Sequence, residues 1–119
     1  MRSFLIAGVA ALLVTGGGAV CAEQMAYSWT GMGVGTGKCS TYRMEIDVTV
    51  DGQAVKGTLK QQGRPERTFE AVADKNGMFR TGAKVGNGGT LEVSGSLKEG
   101  NTNVVLDGYC KFGGALTKQ

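Results

Sequence analysis

The chain alternates apolar and polar residues over several short stretches that are separated by turn residues. The clearest stretch spans residues 41–50, where Tyr42, Met44, Ile46, Val48 and Val50 alternate with polar side chains. A period of two places the two sets on opposite faces of an extended chain. This stretch therefore predicts a β-strand with one packed face and one hydrated face.

Weaker alternation recurs along the rest of the chain, and no sustained helical period is present beyond residue 23. Asp51-Gly52 and Asn76-Gly77 are strong hairpin signals, because both central residues of a type I′ turn need positive φ. The further candidate strands lie at residues 26–34, 54–60, 67–73, 78–85, 90–97, 103–109 and 114–118. The pattern predicts an all-β fold, a single small antiparallel meander of about eight short strands.

The first residues have the pattern of an export signal. Met1 and Arg2 precede the apolar run 4–14, and Val20 and Ala22 fit the small-x-small rule for cleavage. We expect a cleaved signal peptide at residues 1–22 and a single β-barrel-like domain at 23–119, in a periplasmic or secreted protein. A transmembrane anchor is disfavoured because the apolar run is short. Lipid attachment at Cys21 is a minor alternative, since Val20 stands where lipoprotein signals carry a smaller residue.

Cys39 and Cys110 are the two cysteines that remain after signal cleavage. Exported chains meet an oxidising environment, so an even pair predicts one disulfide. The chain-entropy model assigns a bond that closes so long a loop about 4 kcal/mol of stabilisation. A metal site or a reactive thiol pair is disfavoured, because the chain has no histidine and no C-x-x-C motif.

The meander can close into a β-barrel or fold into a β-sandwich, and we favour the barrel. The predicted disulfide ties the two ends of the meander together, as closure would require. Glycines inside four candidate strands fit tightly curved barrel strands; they are Gly57, Gly82, Gly95 and Gly108.

The stretch 31–40, GMGVGTGKCS, resembles a phosphate-binding loop only superficially. The motif G-x-x-x-x-G-K-[ST] requires glycine where Met32 stands and a hydroxyl where Cys39 stands. Phosphate and dinucleotide motifs also open a helix, whereas an alternating strand follows here. We therefore expect no nucleotide binding.

The same region carries an aromatic and glycine strip. Tyr27, Trp29, Gly31 and Gly33 share one face of the first candidate strand. Either neighbouring side chains pack over the bare glycines, or the strip lines a ligand or partner surface on the barrel or in its interior.

Catalysis finds little support in the composition. The absence of histidine removes the commonest general base, and most carboxylates stand at solvent-facing strand positions.

The net charge of +3 is dispersed along the chain, unlike the basic stripe of nucleic-acid-binding proteins. Residues 74–77 resemble the start of a calcium loop, but Val85 stands where its glutamate would be. We expect no enzyme activity, no cofactor, no metal and no nucleic acid.

The connection at residues 61–69 is the least turn-like in the chain. It contains Arg64, Pro65, Glu66 and Arg67, and Pro65 is the only proline. Charged loops on a rigid scaffold often carry recognition. This segment is therefore the candidate recognition loop, and a solvated hairpin end is the alternative.

The layout resembles a group of uncharacterised small exported bacterial β-proteins. The matching features are W-x-G-x-G at Trp29–Gly33, the early Cys39, the late Cys110 and Leu116-Thr117-Lys118 near the end. The resemblance covers the whole of residues 23–119. It implies the fold and the compartment, and it carries over no activity and no functional residues.

Two classes of function follow from these observations. The first is a non-catalytic binding module that holds a small ligand, a glycan or a protein partner, with no membrane span after signal cleavage. The second is a proteinaceous inhibitor of a secreted hydrolase such as lysozyme or a protease, which would present the 61–69 connection as its inhibitory loop. A structural or stress role in the envelope is a third alternative.

Overall fold

The structure is a computed structural model that describes residues 24–84 and 89–119. The predicted signal peptide, Cys21 and Val85 lie outside the described residues. The described part contains one short 3₁₀ helix, Cys39–Thr41, and nine strands. The strands are β1 Gln24–Met32, β2 Arg43–Asp51, β3 Ala54–Gln61, β4 Arg67–Val72, β5 Met78–Lys84, β6 Thr90–Lys98, β7 Asn101–Asp107, β8 Lys111–Ala115 and β9 Thr117–Lys118.

The strands form two antiparallel sheets, so the all-β prediction is confirmed. One sheet has five strands in the order β9-β1-β2-β3-β4, and the other has four in the order β8-β7-β6-β5. The inner faces of both sheets contribute to one hydrophobic core. The alternating segment 41–50 supplies its centre, where Ile46 is fully buried and lies opposite Trp29 on β1 and Leu59 on β3.

Two stacked phenylalanines occupy the space between the two sheets. Phe69 on β4 and Phe79 on β5 have ring centroids 6.3 Å apart and ring planes within 10° of parallel. Phe69 pairs in register with Gly57 on β3, and Phe79 pairs with Gly95 on β6. A Cβ atom at either glycine would collide with the phenyl ring of its partner. Each glycine therefore leaves room for a phenyl ring to lie across the neighbouring strand.

The two sheets are not closed into a barrel, so the barrel prediction is wrong. Hydrogen-bonded pairing is missing where β4 and β5 meet, among the strands that the structure describes. The chain makes a tight turn at Asn76-Gly77, where the backbone N–H of Asp74 donates to the carbonyl of Met78 at 2.8 Å and the carboxylate of Asp74 accepts the N–H groups of Asn76 and Met78, but β4 and β5 do not continue the pairing as a hairpin. The carbonyl of Gly77 accepts the N–H of Leu97 at 2.8 Å. After this turn, β5 pairs with β6 in the four-stranded sheet, and β4 remains the edge strand of the five-stranded sheet.

The strand glycines that suggested barrel bends have another role. Gly57 and Gly95 accommodate phenyl rings, as described above. A Cβ at Gly82 would lie 2.8 Å from Cγ2 of Thr90, and one at Gly108 would lie 2.5 Å from Cδ1 of Leu91. These glycines make space for side chains of adjacent segments, and this use does not require a closed barrel.

The opposite side of the molecule is joined through the backbone. β8 pairs with β7 in the four-stranded sheet, and after the single residue Leu116 the chain continues as β9, which pairs with β1 in the other sheet. The backbone N–H of Leu116 donates to the carbonyl of Thr102 at 2.9 Å. The final segment thereby connects the two sheets on this side.

The predicted disulfide between Cys39 and Cys110 is present, with a Cα–Cα distance of 5.5 Å. It joins the connection between β1 and β2 to the connection between β7 and β8. Next to it, Val34 and Lys111 exchange two backbone hydrogen bonds of 2.8 Å. The prediction that the disulfide ties the two ends of the chain together is correct, although no barrel accompanies it.

Candidate functional site

The two sheets separate at one end and leave an open cleft, here called the inter-sheet cleft, of about 590 Å³. That volume lies in the range of small-molecule sites, about 300–1,000 Å³. Residues of both sheets and their connections border it. Tyr42, Met44, Gln61, Arg64 and Arg67 come from the five-stranded side, and Thr90, Leu91, Tyr109, Cys110 and Phe112 come from the four-stranded side.

Arg67 occupies an inward-facing position at the start of β4. It pairs with the buried Leu59 of β3 and shares its face of the strand with Phe69 and Ala71. An arginine at such a position can pack its methylene stem along apolar neighbours while its guanidinium reaches water. The partial exposure of Arg67 agrees with that arrangement.

Arg64 approaches the cleft from the connection between β3 and β4. Its backbone N–H donates to the carbonyl of Gln61 at 3.0 Å, across a turn in which Gly63 has φ of 79°. That φ is in the left-handed region, which glycine adopts without strain. The turn places the exposed Arg64 beside the cleft together with Arg67.

The candidate recognition loop is divided by the fold. Arg64 and Arg67 border the inter-sheet cleft. Glu66 borders a separate depression beside β4, which Arg67, Glu70 and Lys84 also line. Pro65 is exposed and borders neither of the two. Arg64 therefore borders only the cleft, Glu66 borders only the depression, and Arg67 lies between the two surfaces.

The cleft is electrostatically one-sided. Its described lining contains two arginines and no aspartate, glutamate or lysine. In the described ranges, no carboxylate lies within ion-pairing distance of Arg64 or Arg67. By contrast, Lys60 pairs with Asp47 at 3.8 Å, and Arg80 pairs with Glu92 across two strands. The cleft arginines are therefore available to an external anion.

The rest of the lining contains polar side chains, such as Gln61 and Thr90, as well as apolar ones. Met44 and Phe112 are 4% and 7% exposed and belong to the core, whereas Tyr109 is 80% exposed at the rim. Tyr109 directly precedes the disulfide-linked Cys110, so the disulfide fixes the backbone of this wall. The cleft therefore has a cationic side and an apolar side.

Side chains cover the glycine strip of β1. A Cβ at Gly31 would lie 2.6 Å from Cζ2 of Trp29, and one at Gly33 would lie 2.8 Å from Cε1 of Phe112. Tyr27 and Trp29 pack partly buried against the core. Of the predicted strip Tyr27, Trp29, Gly31 and Gly33, none borders the inter-sheet cleft.

Arg64 and Arg67 were predicted from the sequence as candidate site residues, whereas the residues that border the cleft with them were not. Thr90, Tyr109 and Phe112 join them only through the packing of two sheets, and no local pattern predicts this. One signal was available for Arg67: the alternation that turns Phe69 and Ala71 inward also turns Arg67 inward.

In the described part of the chain, no group of three or more histidine, cysteine, aspartate or glutamate residues could hold a metal ion. Over the same residues, no helix is long and apolar enough to cross a membrane.

The fold and the cleft define a small disulfide-linked β-protein of two antiparallel sheets. No protein-family model, no curated protein and no solved structure matches the chain. The resemblance to small exported bacterial β-proteins stays a prediction.

Proposed function

We propose that the protein is a non-catalytic binding module that acts after export and holds an anionic small ligand in the inter-sheet cleft. The observation that carries this proposal is that Arg64 and Arg67 line one cleft whose described lining contains no carboxylate. Guanidinium groups donate paired, charge-assisted hydrogen bonds to carboxylate and phosphate groups. An anion is the ligand that such a lining recognises.

The absence of a catalytic role is supported by the types of residue in the cleft. General acid–base catalysis most often uses histidine, and otherwise aspartate, glutamate, lysine or tyrosine; of these the described lining holds only Tyr42 and Tyr109. Cys110 is bonded to Cys39 and so provides no thiol. The lining favours binding over catalysis.

Export is supported by two independent features. The residues before the described part carry the charged, apolar and small-residue pattern of a cleaved signal. The disulfide between Cys39 and Cys110 is of the kind that persists in oxidising compartments. We place the protein in the periplasm or outside the cell.

The experiment is a ¹H–¹⁵N NMR titration of the oxidised protein with acetate, benzoate, octanoate and inorganic phosphate. Octylamine serves as the cationic probe. We expect at least one anion to shift the backbone signals of Gln61, Thr90 and Tyr109 saturably, while octylamine does not. If no anion shifts these signals, the proposed function is wrong.

Inhibition of a secreted hydrolase is a second candidate, which the exposure of Arg64, Pro65 and Glu66 on one connection favours. An inhibitor would retain its function when the cleft is blocked but lose it when this loop is changed. Inhibition assays with lysozyme and secreted proteases test this, with the variant Pro65→Ala/Glu66→Ala. Unchanged hydrolase activity across the panel would remove this candidate.

A further inference from the structure

We propose that the inter-sheet cleft selects an amphiphilic carboxylate, that is, one carboxylate group on a short apolar body. This inference rests on the proposed binding function and specifies the ligand chemistry of the same cleft. Its basis is the separation of the cationic and apolar parts of the lining.

The two parts of the lining lie on different strands. Arg64 and Arg67 belong to the connection between β3 and β4 and to the start of β4, whereas Met44 lies on β2. Because β3 stands between β2 and β4, the backbones at Met44 and Arg67 are separated by two strand spacings, roughly 10 Å. A ligand that reaches both must carry its charge at one end.

The apolar part continues onto the opposite sheet. Leu91 at the start of β6 and Phe112 on β8 face the same cleft as Met44. Each is directed inward, because Leu91 pairs with Ala83 of the core and Phe112 pairs with the fully buried Leu106. Burying an apolar body against the exposed part of this lining removes hydrocarbon from water, which favours binding.

Tyr109 completes the apolar side at the rim. Its hydroxyl lies 3.2 Å from the position that a Cβ of Gly37 would take, so the glycine-rich connection after β1 passes beside this end of the side chain. Gly37 has φ of 64°, in the left-handed region. The run that resembles a phosphate loop therefore lies next to one wall of the cleft.

The cationic side fits a single small anionic group. Its two guanidiniums can bind one carboxylate with paired hydrogen bonds. The described lining has no lysine and no helix N-terminus to neutralise further charge. Free inorganic phosphate would use the arginines but would leave the more exposed apolar surface of Leu91 and Tyr109 uncovered. The lining as a whole therefore matches an acid with an apolar body.

The test extends the NMR titration to ligands that differ in one property at a time. Octanoate and benzoate carry both parts, acetate lacks the apolar body, octanol lacks the charge, and inorganic phosphate carries more charge without an apolar body. We expect octanoate or benzoate to bind at least about tenfold more tightly than each of the other three, since one charged hydrogen-bonded group or a few buried methylenes account for such a factor.

Three variants connect binding to the arginines. Arg64→Gln and Arg67→Gln should each weaken octanoate binding by about tenfold, because each removes a charged hydrogen-bond donor. Lys75→Gln is the control, since Lys75 is exposed in the connection between β4 and β5, at the end of β4 opposite to Arg67, and does not border the cleft. It should change the affinity by less than about twofold, as expected for a remote surface charge. Arg64 is an exposed loop residue, so its variant tests the proposal even if Arg67→Gln folds poorly.

Two sources could supply this chemistry, namely a free organic acid or the carboxyl end of a peptide. Titration with N-acetyl-Ala-Phe and with its C-terminal amide separates them. If N-acetyl-Ala-Phe binds and its amide does not, the cleft recognises a carboxylate, as proposed. Tighter binding of the peptide than of octanoate then identifies a peptide end as the source, and tighter binding of octanoate identifies a free organic acid.

The failures of the two proposals are distinguishable. If inorganic phosphate binds at the cleft as tightly as octanoate, or if octanol does, the amphiphilic carboxylate is the wrong ligand class. With phosphate, the anion-binding function still stands. If no anion produces saturable shifts at Gln61, Thr90 and Tyr109, both proposals are overturned.

Discussion

Phe69 and Arg67 stand two residues apart on the same face of β4, yet they belong to two different regions of the inter-sheet space. Phe69 lies in the packed region where the edge strands β4 and β5 meet, here called the packed middle, and its ring stacks on that of Phe79. Arg67 lines the open end, where a cleft of about 590 Å³ separates the sheets. The same alternation thus directs Phe69 into the core and Arg67, two residues away, into a solvated site.

The two regions differ in how completely the residues around Phe69 and around Arg67 fill the space between the sheets. In the middle, Gly57 and Gly95 leave space into which the phenyl rings of Phe69 and Phe79 fit. At the open end, Met44 and Phe112 form walls without filling the gap. We therefore expect substitutions in the middle to change stability and substitutions at the open end to change binding.

The largest expected effect is that of Phe69→Ala, which removes one ring of the central stack. Phe69 is 3% exposed, and truncation of a buried phenylalanine costs about 3–5 kcal/mol. Urea denaturation measures the change in the free energy of unfolding. Thr68→Ala, on the outer face of the same strand, should change it by less than about 0.5 kcal/mol. Equal effects of the two substitutions would contradict the assignment of Phe69 to the core.

The next effect in size is loss of the disulfide through Cys39→Ala/Cys110→Ala. The bond closes a separation of 71 residues, and its removal should lower the free energy of unfolding by about 2–4 kcal/mol. It should also weaken octanoate binding, because Tyr109 adjoins Cys110. If denaturation of the oxidised parent and of the double variant coincide, the disulfide does not hold this side together.

Gly57→Ala should have a smaller effect, again in the packed middle. The added methyl group would meet the ring of Phe69, and forced overpacking of a core costs about 1–3 kcal/mol. The ¹H signals of the Phe69 ring should shift in the same variant. Unchanged stability with unchanged ring signals would show that the glycine is not needed for the stack.

The smallest expected effect on stability is that of Arg67→Met at the open end. Methionine keeps an unbranched stem and removes a cation that has no ion pair among the described residues, so the free energy of unfolding should change by less than about 1 kcal/mol. Octanoate binding should weaken by about tenfold or more. A large loss of stability with unchanged binding would reverse the proposed division between the two regions.

The features that were predicted correctly from the sequence depend on local pattern or on the small number of cysteines. The alternation of residues 41–50 predicted β2 and its buried face. The presence of two cysteines after the predicted signal cleavage predicted the Cys39–Cys110 bond. The barrel was predicted wrongly, because closure depends on whether the edge of β4 finds a partner. In the structure, β4 and β5 lie at the edges of different sheets and do not pair with each other, a tertiary outcome that local alternation does not encode.

The candidate site was predictable only in part. Charge and the single proline singled out Arg64 and Arg67, but Glu66 and Pro65 of the same segment face away from the cleft. Tyr109 lies more than 40 residues away in the chain, and it borders the same cleft as the arginines only because the two sheets pack together. Contacts of that kind depend on the tertiary arrangement rather than on residue spacing.

The most direct test of the two-region account is the location of the NMR shifts that octanoate causes. We expect saturable shifts at Gln61, Thr90 and Tyr109, none at the buried Val48 and Val104, which pair with Gly57 and Gly95, and weaker binding in Arg67→Gln by about tenfold. Shifts centred on Val48 and Val104, or shifts that persist unchanged in Arg67→Gln, would contradict the division into two regions.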